Sequence, residues 1–117
     1  MFGWIADPEG TTGSTEELYG ATPIKDEVNL IDYIHPALHQ KTTYSCVAQT
    51  FCQLSWIRQG LDSQTPELPS SRWVYFVGRR ASHTVGDIGM IPGLAFSAVK
   101  QVGYPREKDF KFDVNLI

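Results

Sequence analysis

Residues 46 to 59 carry the clearest periodic pattern of the chain, and its period is helical. Apolar side chains recur there at the spacing of one helix face, at Val47, Ala48, Phe51, Leu54 and Ile57. Thr43 or Ser45 offers a cap before this segment, and Gly60 offers a stop after it. The pattern predicts a helix that begins at about Cys46 and ends near Gly60.

Two further segments extend the helical prediction. Residues 72–80, "RWVYFVGRR", follow two serines; so short a run fits a helix or a buried strand, and the serine cap favours the helix. Pro92 suits the first turn of a third helix that ends at Gly103. Its apolar stripe is Leu94, Ala95, Ala98, Val99 and Val102. We therefore expect an α-rich fold with about three helices, long loops and little strand.

The length and the composition favour one small soluble domain. The chain has 117 residues, of which 42% are hydrophobic and 20% charged. Residues 1–27 are polar and rich in Gly, Thr and Pro, which predicts an extended leader or arm before a domain at 28–117. The tail from Tyr104 also looks extended.

Charge and hydropathy exclude two classes of partner. The formal net charge is −3, and no basic cluster exists beyond Arg79-Arg80, so we expect no nucleic-acid binding. No apolar run approaches the ~18 residues that a membrane span requires. The N-terminal residues lack the pattern of a signal peptide, so we expect a cytoplasmic or virion protein.

The two cysteines, Cys46 and Cys52, are expected to be free thiols. On one helix, six residues of rise separate them by about 9 Å. A disulfide requires Cα atoms within about 7 Å. Cys52 fits a core position, whereas Cys46 at a helix start is either a buried hydrophobe or an activated thiolate, because a helix N-terminus favours negative charge. The residues alone leave both alternatives open.

The segment around Cys46 resembles that of papain-like cysteine peptidases. The shared features are Gln40 six residues before the cysteine, Ser45 directly before it and a helix after it. Further blocks are similar to the bacterial and phage branch of this family: "FGWIADPE" to its leader, "PSSRWVYFVGRRA" to its next helix, and "VGDIGMIPGLAFSAVKQVGYPRE" to the block that follows. The resemblance covers only the leader and the N-terminal helical half of the family fold.

The resemblance implies roles for five residues. Cys46 would be the nucleophile, and Gln40 would donate a hydrogen bond to the oxyanion. Asp87 and Gly89 would lie on the substrate-binding side, with Gly89 where substrate backbone approaches the cleft wall. Tyr44 departs from the family, which has glycine there, and would put its ring beside the nucleophile on the substrate side, where it obstructs the site. For Gly89, the alternative is a turn that only leads into the Pro92 helix.

A general base is missing at the position that the family uses. The catalytic His of such enzymes follows the Cys by roughly 130–150 residues, in a β-rich half that this chain does not resemble. His35 and His39 are expected in loops, and they make a weak metal pair because Pro36 disfavours a helix between them. His83 is an alternative base, although the resemblance puts it on the substrate side. We expect no metal and no cofactor.

Three hypotheses follow from these observations. The chain is a cysteine peptidase half that hydrolyses peptide bonds only when a partner chain supplies His and Asn. Alternatively, it is a non-catalytic pseudopeptidase that serves as an interaction module in a virion or another large assembly. As a third possibility, it is an α-rich interaction domain with an accidental resemblance, in which Cys46 is buried and Gln40 points elsewhere.

Overall fold

The computed structural model describes residues 3–6, 26–84 and 86–117, and its architecture is helical. The three helices are α1 (Cys46–Leu61), α2 (Ser71–Ser82) and α3 (Pro92–Val102). Single 3-10 turns occur at Ile31–Tyr33 and Val114–Leu116. Among these residues, strand pairing is limited to two isolated bridges, Trp4 with Met90 and Pro69 with Arg106. The predicted α-rich fold is confirmed. Most of the predicted leader, residues 7–25, lies outside the described residues.

Local signals fix the ends of α2 and α3. The Ser70 hydroxyl accepts a hydrogen bond from the Trp73 N–H at 3.3 Å and so caps α2, which makes the 72–80 segment helical. Pro92 occupies the first turn of α3. Gly103, with φ of 78°, ends α3, and its N–H donates to the Val99 carbonyl at 2.8 Å.

The end of α1 differs from the sequence-based prediction. The helix continues through Gly60 to Leu61, and Asp62 follows as its C-cap. A Cβ built at Gly60 would lie 3.1 Å from the Tyr33 ring, so this glycine lets the 3-10 turn pack closely on α1. Glycine serves here as a packing position and not as a stop.

The core lies where α2 contacts both α1 and α3. Its buried hydrophobic residues are Val47, Ala48, Cys52, Val74, Tyr75, Val77, Met90, Ala95 and Val99. Two predicted members of the apolar faces, Leu54 and Val102, are instead 51% and 64% exposed. The prediction fails at these two positions because helical spacing identifies an apolar face but does not show how much of that face other elements cover.

The C-terminal tail wraps the start of α2, and the expected extended path is interrupted by a turn at residues 106–110 and by the 3-10 turn at Val114–Leu116. Ser70 donates its N–H to the Pro105 carbonyl at 2.9 Å and its hydroxyl to the Phe110 carbonyl at 2.6 Å. The Glu107 carboxylate accepts the N–H groups of Ser71 and Phe112. These bonds cover the α1–α2 end of the core next to Cys52.

No described helix is long and apolar enough to cross a bilayer.

Candidate thiol site at the start of α1

Cys46 is the first residue of α1 and is partly exposed, with the side chain packed against the edge of the core. Ser45 precedes it, but the Ser45 hydroxyl does not cap α1; it bonds to the Thr43 hydroxyl at 2.7 Å and accepts from the Gln49 side chain at 3.3 Å. These bonds hold the turn before Cys46, and Ser45 itself is completely buried. Of the two alternatives that the sequence leaves open, a fully buried Cys46 does not hold, because the residue is partly exposed.

An extended segment of the chain's own N-terminal region lies across Cys46. The Gly3 N–H donates to the Cys46 Sγ at 3.1 Å. The Gly3 carbonyl accepts the Met90 N–H at 2.9 Å, and the Ile5 N–H donates to the Met90 carbonyl at 3.2 Å. This alternation is the pattern of a parallel β ladder. The thiol therefore lies beside a bound stretch of extended backbone.

The segment lies in a slot that we call the Cys46 groove. One wall is the turn at residues 43–45, the other is the stretch 88–91, and Cys46 forms the floor. A Cβ at Gly3 would come inside 3.0 Å of the Tyr44 carbonyl, and one at Gly89 inside 3.0 Å of the Gly3 carbonyl. Real Cβ atoms essentially never approach so closely. Gly89 also has a φ of 99°, a conformation that favours glycine.

A carboxylate joins the two walls. Asp87 Oδ1 accepts the Tyr44 N–H at 2.8 Å and the Tyr75 hydroxyl at 2.5 Å. The same Tyr75 oxygen accepts the Gly89 N–H at 3.2 Å. Burial, and then the hydrogen bond to Asp87, raises the pKa of Tyr75 well above its usual range. Tyr75 therefore stays protonated and donates to Asp87 at neutral pH.

The second wall is also fixed from α2. The Arg79 guanidinium stacks over the Tyr75 ring, with 4.3 Å from its central carbon to the ring centroid, and donates to the Gly86 carbonyl at 2.9 Å. Thr84 donates to the Gly89 carbonyl at 2.9 Å, and Ser82 accepts the Ile91 N–H at 2.9 Å. The groove is thus preorganised by the core helices.

Met90 connects the groove to the core. Its backbone pairs with the N-terminal segment, whereas its side chain is fully buried. A Cβ at Gly78 of α2 would come inside 3.0 Å of the Met90 sulfur, so the small residue makes room for that side chain. Sequence reasoning missed Met90, Tyr75 and Gly3 as site residues; the only available signal was the two glycines, Gly3 and Gly89, each beside an apolar residue.

Gln40 and Cys46 line one surface pocket of about 430 Å³. The other lining residues are Leu38, His39, Lys41, Gln49 and Thr50. The Gln40 side-chain amide donates one N–H to the Thr43 carbonyl. A side-chain amide has two N–H groups, and the second remains for a ligand in this pocket.

The three histidines have other partners. His35 packs edge-on against Trp56, with ring centroids 4.6 Å apart, and its backbone bonds to the Gln53 side chain. His39 lies at the rim of the Gln40 pocket, and its Nδ1 accepts the Lys41 N–H at 2.7 Å. His83 is exposed at the C-cap of α2. Within the described part of the chain, no histidine bonds to Cys46 Sγ, and no group of three or more His, Cys, Asp or Glu is placed to hold a metal ion.

Comparison of the chain with protein-family models, with curated proteins and with solved structures found no significant match. The papain-like assignment accordingly stays a prediction. The predicted substrate roles of Tyr44, Asp87 and Gly89 also stay predictions, although Tyr44 and Gly89 belong to the walls of the Cys46 groove and Asp87 joins the two walls.

Proposed function

We propose that the chain is the thiol-bearing helical half of a papain-like cysteine peptidase, which hydrolyses peptide bonds when another chain supplies the His and Asn. The observation that supports this function best is the extended backbone seated across Cys46. A surface that holds peptide backbone by ladder hydrogen bonds beside a thiol has the two properties that a peptidase cleft needs. Gln40, which lines a surface pocket together with Cys46, is the proposed side-chain donor to the oxyanion.

A partner chain is part of the proposal. Acyl transfer by a thiol needs a base to take the proton. The side chains of His35 and His39 bond elsewhere, and His83 is exposed at the C-cap of α2. In addition, an exposed apolar stretch precedes α1: Val28, Leu30, Ile31, Tyr33 and Ile34 are 36–68% exposed. Exposed apolar side chains in a row support a protein interface. We therefore expect the isolated chain to cleave no casein or fluorogenic peptide substrate.

The oxyanion role of Gln40 can be tested with two reagents that react at the same sulfur. p-Nitrophenyl acetate acylates Cys46 through a tetrahedral oxyanion: the S–C bond forms, p-nitrophenolate leaves, and a hindered, non-nucleophilic buffer base takes the thiol proton. Iodoacetamide alkylates the sulfur by displacement of iodide, with no oxyanion. Both reagents must reach Sγ, so a change in the accessibility of the sulfur alters both rates alike. The ratio of the acylation rate to the alkylation rate at Cys46 therefore reports oxyanion stabilisation alone.

We expect Gln40→Ala to lower the ratio of acylation to alkylation by at least about tenfold, since one donor of a complete oxyanion hole is worth about 10²–10³. Lys41→Gln, in the same pocket and next to Gln40, is the matched control and should leave the ratio unchanged. Site-resolved mass spectrometry gives both rates. An unchanged ratio in Gln40→Ala would remove the catalytic part of the proposal.

A non-catalytic interaction module is the second candidate, and one observation favours it. Cys46 Sγ accepts the Gly3 N–H, so the thiol itself helps to hold the backbone of the bound segment, as a binding residue does. This candidate predicts that Cys46→Ala preserves the melting temperature and any assembly of the chain. It also predicts no effect of Gln40→Ala on the rate ratio.

A further inference from the structure

We infer that the Cys46 groove is a glycine-selective binding site for extended peptides, and that residues 3–5 of this same chain occupy it and shield the thiol. The inference rests on the proposed function in taking the groove as the peptide-binding face of that site. It adds which residue the groove accepts over the sulfur, in which direction the peptide runs, and what fills the groove in the isolated chain.

The selectivity follows from the walls. The residue above Cys46 lies with its α-carbon against the Tyr44 carbonyl, and a Cβ there would come inside 3.0 Å of that backbone oxygen. A backbone atom does not swing away as the end of a flexible side chain does. The Tyr44 N–H is bonded to Asp87, which fixes the position of the turn. Any residue larger than glycine is therefore rejected at this position.

The direction follows from the ladder. Both groups of Met90 are used, the N–H by Gly3 and the carbonyl by Ile5, so the bound peptide runs parallel to residues 89–91. Trp4, between them, is 62% exposed, so the groove places little restriction on the residue after the glycine. Recognition is thus of backbone plus one glycine, as in β-strand addition.

The bound pose turns the Gly3 carbonyl away from the thiol. Sγ receives the Gly3 N–H, while the Gly3 carbonyl is engaged by Met90 on the opposite wall. The peptide bond that follows Gly3 is therefore not presented to the sulfur. Occupation by the chain's own segment masks the thiol.

The test uses the alkylation rate of Cys46 by iodoacetamide, read by mass spectrometry. Gly3→Val should displace the segment and raise the rate by about tenfold, equivalent to about 1.4 kcal/mol of lost docking. Ala6→Val adds the same side chain at an exposed residue of the same segment and should leave the rate unchanged. An unchanged rate in Gly3→Val would overturn the shielding.

The selectivity is tested in the Gly3→Val protein with added peptide. Acetyl-MFGWIADPE-amide should restore slow alkylation in a saturable manner, whereas acetyl-MFVWIADPE-amide should not. Equal protection by both peptides would overturn the glycine rule. Shielding in the natural chain that weakens on dilution would mean that the segment comes from a second copy, against the assignment made here.

These outcomes are independent of the Gln40 test. Protection by the glycine peptide combined with an unchanged acylation ratio leaves a peptide-binding groove and removes the peptidase. A lowered acylation ratio without protection keeps the oxyanion site and removes the glycine-selective groove.

Discussion

Cys46 and Cys52 lie six residues apart on α1, and their surroundings are opposite. Cys46 lies at the helix start, partly exposed, and its sulfur accepts an N–H from a segment that crosses it. Cys52 is fully buried and donates its S–H to the Pro69 carbonyl at 3.3 Å. Burial, and then the nearby Glu107 carboxylate, raises the pKa of Cys52 to about 12. Burial by the surrounding elements, more than position along the helix, therefore distinguishes the partly exposed thiol of Cys46 from the core thiol of Cys52.

The largest expected difference is in alkylation. Cys52 can react only when the core opens, which costs several kcal/mol, so its rate should be lower than that of Cys46 by about 10³-fold or more. Both cysteines lie on the tryptic peptide 42–58, so fragmentation of that peptide is needed to assign the label. Comparable rates in the native protein would contradict the described burial of Cys52; Cys46→Ala gives the Cys52 rate alone.

Alkaline pH should destabilise the Cys52 region. The pKa of Cys52 is raised on folding from 9.0 to about 12, so the native state holds its proton longer than the unfolded state does. Stability is therefore complete below about pH 9 and falls as the pH rises toward 12, by up to about 1.4 kcal/mol per pH unit for one proton.

Urea unfolding at several pH values measures this slope. Tyr75 adds to it in the same direction, because its pKa is also raised by burial. Cys52→Ala should flatten the curve between pH 9 and 12, and Cys46→Ala is the control for the loss of a thiol. An equally steep curve in Cys52→Ala would mean that other groups carry the effect.

Replacement by serine should affect the two positions unequally. Cys52→Ser puts a more strongly hydrated hydroxyl into the core and leaves a small void, which should cost about 1–3 kcal/mol of unfolding free energy. Cys46→Ser, at the edge of the core, should cost less than about 1 kcal/mol. Chemical denaturation of both variants gives the comparison, and equal losses would argue against the difference in burial.

The smallest expected effect concerns the walls of the groove. Tyr75→Phe removes the hydroxyl that joins Asp87 to the Gly89 N–H and should cost about 1–2 kcal/mol. The looser wall should raise the alkylation rate of Cys46 by a few-fold and leave Cys52 protected. Tyr104→Phe is the matched control, because among the described residues its hydroxyl bonds to the half-buried Ser55, at 3.2 Å and away from the groove. A rise in the Cys52 rate instead would indicate general destabilisation of the core.

Local chemistry explains which parts of the fold the sequence predicts. The third helix was correctly bounded because Pro92 and Gly103 act on their own backbone, and the second was correctly typed because the Ser70 cap is local. The predicted end of α1 was wrong because Gly60 serves to make room for the Tyr33 ring. Tyr33 lies outside the helix, so the helical spacing of the sequence does not reveal this contact.

The site was predictable only in part, for the same reason. Gln40 and Cys46 were singled out from spacing and do line one pocket. The position of residues 3–5 was not foreseen, because their hydrogen bonds are to Met90, far along the chain. The joining of Tyr44 to Gly89 through Asp87 and Tyr75 likewise depends on three separate stretches of sequence.

The pairing of Gly3 and Ile5 with Met90 has a consequence for the order of folding. This contact closes residues 3–90, most of the chain, into a loop, whereas α2 and α3 are neighbours in sequence and pack directly. Forming a contact of such long range costs loop-closure entropy, so local contacts form earlier. The helices should therefore assemble first, and the N-terminal segment should dock last. The sulfur of Cys46 then stays uncovered throughout most of chain collapse, and the amides of Ile5 and Met90 should exchange with solvent sooner than the amide of Val74 in the core.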